Sequence, residues 1–339
     1  MTPYPCALVG CGWVAGEHAA AYQRNPRTQL TAIVSSNRDH AAAKAREWGV
    51  EGVEIFTSVE VMMQQMQPQI VSITSRPDHH VEQAIVAAES GASLVLEKPL
   101  GVNREEVKRL VECVKRNQTK SVVSFVLRWN PLFSVLRSII DAGGLGELFY
   151  GEIDYYHGIG PWYGQFEWNK TQAAGGNSLL SAGCHALDAL VWFMGSPVKE
   201  VHALSVRSNA PGFAEYEYDP TLVSLLRFEN GKIGKVASCI ESHSPYMFPI
   251  RLFGAKGSIR DNQYYGGFMA GQTDFAAIPT ILPDSGDVTH HPFQEEIDHF
   301  VQRLDAGQDS GVPIAEAAHI MEVCFAAAES AQSGQPVLL

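Results

Sequence analysis

A glycine-rich turn near the start of the chain constrains the fold more than any other feature. The apolar run Cys6–Val9 leads directly into Gly10–Ala15, which has the pattern Gly-x-Gly-x-x-Ala and opens a helical stretch. In such a strand–turn–helix unit the first glycine permits a tight turn and the second lets the backbone approach a pyrophosphate. The small third residue lets strand and helix pack closely, and the helix N-terminus favours an anion. The turn therefore predicts a dinucleotide site; the alternative is a strand–helix turn without a ligand.

The first 126 residues alternate short apolar runs with helical stretches. Short, mostly apolar runs are typical of buried parallel strands, and the helices between them supply the crossover connections. Six runs are identified as strands: Cys6–Val9, Leu30–Val34, Val53–Phe56, Ile70–Ile73, Leu94–Leu96 and Val122–Val126. Ser58 and Asn103 are predicted to cap two of the helices. Residues 1–126 are therefore predicted to form an α/β Rossmann domain with a doubly wound parallel sheet.

The pattern changes after Arg128, where longer strand-like stretches replace the short runs. These stretches are Glu147–His157, Lys199–Ser208, Thr221–Phe228, Lys232–Glu241 and Pro249–Phe253. Asn230-Gly231, between two of them, is typical of a type I′ hairpin. A helix is predicted over Ser178–Met194, and more helix closes the chain. Residues 127–339 are therefore predicted to form an α+β domain with a large, mostly antiparallel open sheet.

The composition argues against several classes of protein. A formal net charge of −12 over 339 residues opposes binding to nucleic acid, which needs a basic surface. No apolar run is long enough to span a membrane, and the N-terminus lacks the pattern of a signal peptide. The six cysteines are scattered without a Cys-x-x-Cys pair. We therefore expect reduced thiols, no metal site and a cytoplasmic protein.

The residues after the second strand determine which dinucleotide is preferred. An Asp or Glu usually lies there to bind the ribose 2′-hydroxyl of NAD, but this chain has Ser35, Ser36, Asn37 and Arg38. No carboxylate repels a 2′-phosphate, two hydroxyls are available to it, and Arg38 is able to pair with it. We therefore expect NADP(H) to be preferred, with NAD(H) as the second cofactor. The alternative is that Arg38 merely belongs to the solvated first turn of the next helix.

Two further segments carry candidate catalytic groups. Lys98 lies at the end of the fifth strand, and ligands of open α/β sheets bind beyond the carboxyl ends of strands. Further on, Ser181, His185 and Asp188 share one face of an apolar helix. A histidine suits a proton acceptor that Asp188 would orient, and a lysine ammonium favours a developing alkoxide. The alternatives are a surface lysine and a hydrogen-bonded core His–Asp pair.

Taken with the turn, these segments resemble the family of glucose–fructose oxidoreductase, inositol 2-dehydrogenase and MocA-like proteins. The resemblance spans essentially the whole chain and rests on Gly10–Ala15, Glu97-Lys98-Pro99-Leu100, Arg128-Trp129-Asn130-Pro131, Gly143–Gly146, the segment from Gly175-Gly176 to His185 and Asp188, and Gly254-Ala255-Lys256-Gly257. It implies Lys98 and His185 as catalytic residues, a Lys98-Pro99 bond that is often cis, and a substrate pocket between the two domains. It also implies homo-dimers or homo-tetramers that associate through the open sheet face.

Motifs and resemblance together predict a wider set of contacts. The expected cofactor-binding residues are Gly10, Gly12, Trp13, Val14, Ser35, Ser36, Asn37, Arg38, Ser75, Arg76, His80, Glu97, Lys98 and Arg128. The expected substrate-binding residues are Lys98, Arg128, His157, Trp162, Trp168, Ser181, His185 and Asp188.

An aromatic-rich loop, residues 158–170, precedes the helix of His185. Flat rings such as Trp162 and Trp168 stack on the apolar face of a sugar ring. Further candidates for polar contacts with the substrate are His157, Asn169, Lys170, His290 and His291. The alternative is an aromatic loop that packs at a subunit interface.

The chain departs from the family pattern at three places. Ser181 stands where many members have Asp, four residues before the catalytic histidine, so His185 carries more of the proton transfer. Ser75-Arg76-Pro77 replaces the frequent Thr-Pro-Asn beside the nicotinamide ribose. The usual acidic residue after the second strand is absent, as in NADP-using members.

The implied function is reversible hydride transfer between a nicotinamide and a secondary alcohol or ketone of a sugar, glycoside or cyclic polyol. One alternative is a sugar lyase or glycosidase that uses bound NAD(P) transiently, with no net redox change. Another is a non-catalytic cofactor-binding regulatory protein, although the presence of both Lys98 and His185 counts against it.

Overall fold

The computed structural model describes residues 2–159, 162, 165–280 and 291–339. Contacts divide the chain into two compact units, Met1–Val126 with Pro292–Ala318, and Leu127–His291 with His319–Leu339. The predicted boundary after residue 126 assigns all of 127–339 to one domain, whereas the segment Pro292–Ala318 packs with the first unit.

The first unit is built on six parallel strands. These are β1 (Tyr4–Val9), β2 (Thr28–Val34), β3 (Glu54–Phe56), β4 (Ile70–Ile73), β5 (Ser93–Leu96) and β6 (Ser121–Val123). Their order in the sheet is β3-β2-β1-β4-β5-β6, so the direction of winding reverses between β1 and β4. A reversal of this kind opens a ligand crevice at the carboxyl ends of the two strands. The doubly wound α/β fold predicted from the sequence is confirmed.

Helices connect and cover these strands. They are α1 (Ala15–Arg24), α2 (Arg38–Glu47), α3 (Val59–Met66), α4 (Pro77–Glu89) and α5 (Arg104–Asn117). Ser58 and Asn103 cap α3 and α5 as predicted, since their side chains accept the amides of Val61 and Glu106. The apolar spacing and these caps are local signals, which is why both helices were found from the sequence.

The helix α9 (Phe293–Asp305) explains why Pro292–Ala318 joins the first unit. Its apolar face buries Phe293, Ile297 and Phe300, and it packs against α1. The ring of Phe293 lies 5.3 Å from that of His18 on α1, measured between centroids. An amphipathic helix binds whichever apolar surface it meets in space, so its place along the chain does not reveal its unit.

The second unit contains a ten-stranded, mostly antiparallel sheet. Its strands are β7 (Leu148–Ile153), β8 (Tyr155–Tyr156), β9 (Val198–Val206), β10 (Thr221–Phe228), β11 (Ile233–Cys239), β12 (Ile250–Gly254), β13 (Gly257–Arg260), β14 (Gln263–Gly266), β15 (Ala276–Ala277) and β16 (Val337–Leu338). The order is β15-β14-β13-β12-β7-β11-β10-β9-β16, with β8 beside β11. The sheet predicted for this part of the chain is confirmed.

The remaining helices are α6 (Pro131–Asp141), α7 (Gln172–Gly175), α8 (Cys184–Met194) and α10 (Ile314–Ser333). A π-helical segment, Leu179–Gly183, directly precedes α8. No helix in the described ranges combines the length and apolarity that crossing a membrane would need.

The turn between β10 and β11 differs from the predicted type I′. The amide of Gly231 donates to the carbonyl of Phe228, and the amide of Phe228 donates to the carbonyl of Lys232, both at 3.0 Å. The φ angle is positive at Gly231 (84°) but not at Asn230, whereas type I′ needs positive φ at both central residues. The connection is therefore longer than a two-residue type I′ loop, and Gly231 alone adopts the left-handed conformation. The hairpin was predicted correctly and its turn type was wrong.

One face of this sheet carries exposed apolar side chains. Leu204 and Val206 on β9 are 68% and 59% exposed, and Val223 and Leu225 on β10 are 40% and 59% exposed. Leu204 pairs directly with Val223 in the register, so the four side chains share one face.

Candidate active site

The Gly10–Ala15 turn has the backbone that a pyrophosphate site needs. Gly10 has a φ of 104°, and a Cβ there would lie 2.7 Å from backbone atoms of Thr74 and Ser75. Any other residue at this position would be strained and would clash. A Cβ on Gly12, by contrast, would meet only the carbonyl oxygen of Thr74, at 3.9 Å. Packing does not require glycine at position 12, and the open space beside it fits the close approach of a pyrophosphate.

Trp13 and Val14 complete the turn. Trp13 is 56% exposed, and the carbonyl of Val14 accepts the amides of Glu17 and His18 at 3.1 and 3.3 Å. Ala15, which is fully buried, begins α1. The small residue at the third motif position thus permits the tight strand–helix packing for which it was singled out.

Ser35–Arg38 lie at the carboxyl end of β2, next to the turn that follows β1. The amide of Ser35 donates to the carbonyl of Phe56 at 3.0 Å, and the side chain of Asn37 caps α2 by accepting the amide of His40 at 2.9 Å. Arg38 is the first residue of α2 and is exposed. It therefore lies in the first helical turn, as the alternative held, and its exposure also leaves it accessible to a ligand.

Lys98 follows β5 at the same edge of the sheet, and its bond to Pro99 is cis, as the resemblance implies. The neighbouring Glu97 is buried, with Oε1 3.1 Å from Nε2 of His18. The other ring nitrogen of His18 lies 3.2 Å from Oγ of Ser72. Burial alone would raise the pKa of Glu97, but the hydrogen bond and charge of His18 and the charge of Lys98 lower it. An ionised carboxylate therefore lies beside the candidate catalytic lysine.

The segment after β4 holds Ser75, Arg76 and His80, three predicted cofactor contacts. The guanidinium of Arg76 pairs with Asp78 at 2.7 Å. His80 is 1% exposed, with Nδ1 2.7 Å from the carbonyl oxygen of Pro99 and Nε2 3.0 Å from that of Ser75. Both ring nitrogens therefore face backbone, which favours a role in holding the two loops over the predicted direct contact with cofactor.

A buried acid near Glu97 was missed by the sequence reasoning. Glu296, on α9, is completely buried. Burial and the charge of Glu97 raise the pKa of Glu296 well above its usual value. Its position, three residues after buried Phe293 and one before buried Ile297, falls within the apolar stripe of the helix. That spacing was the available signal.

His185 lies in the first turn of α8, directly after the π-helical segment Leu179–Gly183. The side chain of Asn177 accepts the amide of Leu180 at 2.9 Å. A Cβ on Gly183 would lie 2.6 Å from that of Ser238 on β11, so glycine lets the helix approach the sheet closely. π-Helical turns are frequent at functional sites.

The helix predicted over Ser178–Met194 is present, with a π turn over Leu179–Gly183 at its start. Because this turn is wider than an α turn, the angular relation of Ser181 to His185 differs from that of an ideal i, i+4 pair. His185 and Asp188 remain three residues apart within α8 itself. Both Ser181 and His185 are buried, at 8% and 5% exposure.

Asp188 is the buried partner of Arg128. Nε and Nη2 of Arg128 donate to the two carboxylate oxygens of Asp188, at 2.8 and 2.7 Å. The guanidinium also lies over the ring of Trp192, 5.3 Å from its centroid. Both carboxylate oxygens of Asp188 thus accept from Arg128, and the predicted role of Asp188 in orienting His185 stays a prediction. Arg128 belongs to the same unit as Asp188, so the pair ties the segment of Arg128 to the helix that carries His185.

An aromatic cluster in the second unit contains three histidines. Nδ1 of His157 lies 3.0 Å from the hydroxyl of Tyr155, and the rings of His157 and Tyr246 are 4.4 Å apart. The hydroxyl of Tyr246 lies 3.2 Å from Nε2 of His291, whose ring is 6.4 Å from that of His185. Burial lowers the pKa of His157 to about 4, so its ring is neutral at neutral pH. No group of three or more His, Cys, Asp or Glu is placed to hold a metal within the described chain.

The aromatic loop is described in part. The residues of this region that lie outside the described ones are Gly160, Pro161, Tyr163 and Gly164, and the same holds for His290. The ring of Trp162, which is 40% exposed, lies 5.1 Å from that of Phe166, and Phe166 lies 6.1 Å from Trp168. Both tryptophans therefore belong to one run of aromatic contacts.

Two candidate hydroxyl ligands of this loop, Lys170 and Asn169, differ in their surroundings. The ammonium of Lys170 lies 3.0 Å from Glu167 and 2.7 Å from Glu215. Asn169 is 3% exposed, and its backbone carbonyl accepts the hydroxyl of Tyr218 at 2.8 Å. These ion pairs favour Lys170 as a residue that holds the loop in place over its predicted role as a substrate ligand, and the side chain of Asn169 stays a predicted ligand.

Comparison with known proteins adds to this geometry. Residues 5–125 match the model of an oxidoreductase family with an NAD-binding Rossmann fold, and residues 133–260 match the GFO/IDH/MocA C-terminal domain. A scyllo-inositol 2-dehydrogenase (NAD(+)) of Bacillus subtilis is 26% identical over 98% of this chain and 96% of its own. A D-glucoside 3-dehydrogenase of Escherichia coli is 26% identical over 68% of this chain and 69% of its own.

Solved structures show the same fold. A levoglucosan dehydrogenase in complex with NADH and levoglucosan superposes with a TM-score of 0.89 at 21% identity, over 100% of this chain and 99% of its own. The two family models lie on the two sheets described above, one on each. The resemblance found in the sequence is therefore confirmed, and this chain belongs to the Gfo/Idh/MocA family of oxidoreductases.

Proposed function

We propose that this chain is an NAD(P)-dependent oxidoreductase that transfers a hydride between nicotinamide and a secondary alcohol or ketone of a sugar, glycoside or cyclic polyol. One observation carries the proposal. The Gly10–Gly12 turn follows β1 and Lys98 follows β5, and β4 alone separates these strands in the sheet. A turn suited to a pyrophosphate and a cation thus share the edge at which open α/β sheets bind nucleotides.

The chemistry divides between a cofactor and two side chains. Bound nicotinamide accepts or supplies the hydride. In the oxidation direction His185 removes the hydroxyl proton, and Lys98 holds the same oxygen and stabilises its developing negative charge. Ser181 stands four residues before His185 and has no carboxylate. The imidazole of His185 therefore takes up the proton without the help of an acidic side chain at that position.

NADP(H) is the preferred cofactor in this proposal, and NAD(H) is the second. Ser35–Arg38 contain no acid to repel a 2′-phosphate, and Ser36 and Arg38 are exposed at the end of β2. The names of several relatives specify NAD(+) or NADH instead. Binding constants for the two reduced cofactors are therefore the measurement that decides this point.

The substrate class rests on the aromatic loop and on the relatives. Trp162 and Trp168 offer flat apolar rings to a sugar or polyol, and His157 offers a neutral polar group. The relatives are named for inositol, a D-glucoside and levoglucosan, all of which carry ring hydroxyls.

A panel of cyclic polyols, aldoses and glycosides, assayed with both cofactors, tests the proposal. Net formation of reduced nicotinamide is expected with at least one compound, and Lys98→Met should lower kcat by about a hundredfold or more with little effect on cofactor affinity. Lys108→Met, at an exposed position on α5, is the matched control and should retain activity.

Each alternative reaction class has its own outcome in this assay. Sugar cleavage without net nicotinamide reduction would show a lyase or glycosidase. Cofactor binding without turnover of any compound would show a regulatory protein. A fully active Lys98→Met variant would refute the assigned catalytic role.

We further propose that a second copy of this chain covers the exposed face of the sheet in the second unit. Leu204, Val206, Val223 and Leu225 form a contiguous apolar surface there, which is costly to leave in water. Sedimentation equilibrium should therefore show a dimer or tetramer, and a monomer at all concentrations would contradict the proposal. The free cysteines agree with a reducing, cytoplasmic location.

A further inference from the structure

One buried imidazole joins the two loops that flank the candidate cofactor crevice in the first unit. His80 lies near the start of α4, which follows β4. Its Nδ1 is 2.7 Å from the carbonyl oxygen of Pro99, the residue after Lys98, and its Nε2 is 3.0 Å from the carbonyl oxygen of Ser75. With 1% of the residue exposed, both contacts are shielded from water.

These contacts continue to the phosphate turn. Ser75 and Thr74 pack so closely on Gly10 that a Cβ there would lie 2.7 Å from their backbone atoms. His80 is therefore one link in a continuous path, from Gly10 through Ser75 to Pro99 and Lys98. Such a path fixes the position of Lys98 relative to the Gly10–Ala15 turn, which is the predicted pyrophosphate site.

We propose that His80 is a positioning residue for Lys98, which it holds through the carbonyl of Pro99 while anchoring itself on the carbonyl of Ser75. This inference rests on the proposed function, because the position of Lys98 matters only if its ammonium contacts the reacting oxygen of the substrate. The side chain of His80 does not itself contact cofactor or substrate in this proposal.

The two contacts of His80 are unequal because a neutral imidazole ring has only one N–H to donate. Both partners are carbonyl oxygens, and a neutral imidazole has one N–H, so only the cation donates to both at once. Burial lowers the pKa of His80, although the two carbonyls and the charge of Glu97 oppose this shift. In the neutral ring, the shorter contact to Pro99 is the one we expect to keep the proton.

Two substitutions separate the contacts. Asn at position 80 places an amide nitrogen close to where Nδ1 lies, so His80→Asn keeps a donor for Pro99. Gln places one close to where Nε2 lies, so His80→Gln keeps a donor for Ser75. Because small misplacements of a catalytic group are costly, His80→Gln should lower kcat roughly tenfold to a hundredfold with little change in cofactor Kd. His80→Asn should retain most of kcat.

His79 provides the matched control, since it is the adjacent residue of the same helix and is exposed. His79→Gln and His79→Asn should match the wild type in kcat. Circular dichroism and urea unfolding would give the folded fraction of every variant, to which kcat is normalised. Equal kcat in His80→Gln, His80→Asn and the wild type would overturn the proposal, as would equal losses in the two His80 variants.

A second readout needs no substrate. The rate at which acetic anhydride modifies Lys98 in the full-length protein, followed by peptide mass spectrometry, reports the surroundings of its amine. This rate should change about threefold or more in His80→Gln and stay unchanged in His79→Gln. An unchanged rate in His80→Gln would overturn the positioning role. If the wild type transfers no hydride to any compound, the proposed function fails while this labelling still tests the link between His80 and Lys98.

Discussion

The buried acid at position 296 should make the stability of the protein fall with rising pH, and Glu296→Gln should remove that effect. Burial and the charge of Glu97 raise the pKa of Glu296 well above its usual value of 4.5, so the folded protein keeps a proton that the unfolded chain releases. The contribution of Glu296 to the free energy of unfolding therefore decreases as the pH rises above that value. The loss is about 1.4 kcal/mol for each pH unit over which the folded carboxyl stays protonated. Glutamine has nearly the same shape and does not titrate.

Urea unfolding of both proteins between about pH 5 and 8 measures the effect. The difference in free energy of unfolding should grow in favour of Glu296→Gln by about 1.4 kcal/mol for each pH unit over which the folded carboxyl keeps its proton. Glu295→Gln is the matched control, because Glu295 is the exposed neighbour on the same helix and its variant should follow the wild type. Parallel pH curves for wild type and Glu296→Gln would refute the reasoning, since they would mean that the buried carboxyl titrates as it does in the unfolded chain.

Two further substitutions test the second unit and the cofactor site. Arg128→Met removes the cation that the buried Asp188 binds and should lower the free energy of unfolding by about 3–5 kcal/mol in urea denaturation; a loss near zero would contradict a stabilising pair. Arg38→Gln should weaken the binding of NADPH roughly tenfold and leave that of NADH nearly unchanged, as measured by fluorescence titration. An equal effect on both cofactors would rule out contact with the 2′-phosphate.

Local sequence patterns predicted most of the elements correctly. The apolar runs of β1, β2, β4 and β5 and the caps of α3 and α5 depend on residues a few positions apart, so each was visible in the sequence. The type of the β10–β11 turn was predicted wrongly, and the π turn at the start of the helix that carries His185 was not predicted. The β10–β11 turn depends on how the strands end, and the π-helical segment before His185 lies where Gly183 packs against Ser238 of β11, 55 residues later.

The sequence predicted which residues belong to the candidate site better than it predicted the contacts that these residues make. Lys98 and His185 follow recognisable motifs, and their catalytic roles stay predictions. The partners of the polar residues around them were not predicted. Asp188 binds Arg128, and His80 binds the carbonyls of Ser75 and Pro99.

By itself the sequence determined the α/β class of the first unit, the antiparallel sheet of the second and the turn suited to a pyrophosphate, because each depends on neighbouring residues with a fixed periodicity. Tertiary structure alone decided that residues 292–318 complete the first unit, that Glu296 is buried near Glu97 and that Asp188 pairs with Arg128. The physical reason is that burial and charge pairing depend on distance in space, and the chain brings together groups that are 60 to about 200 residues apart in sequence.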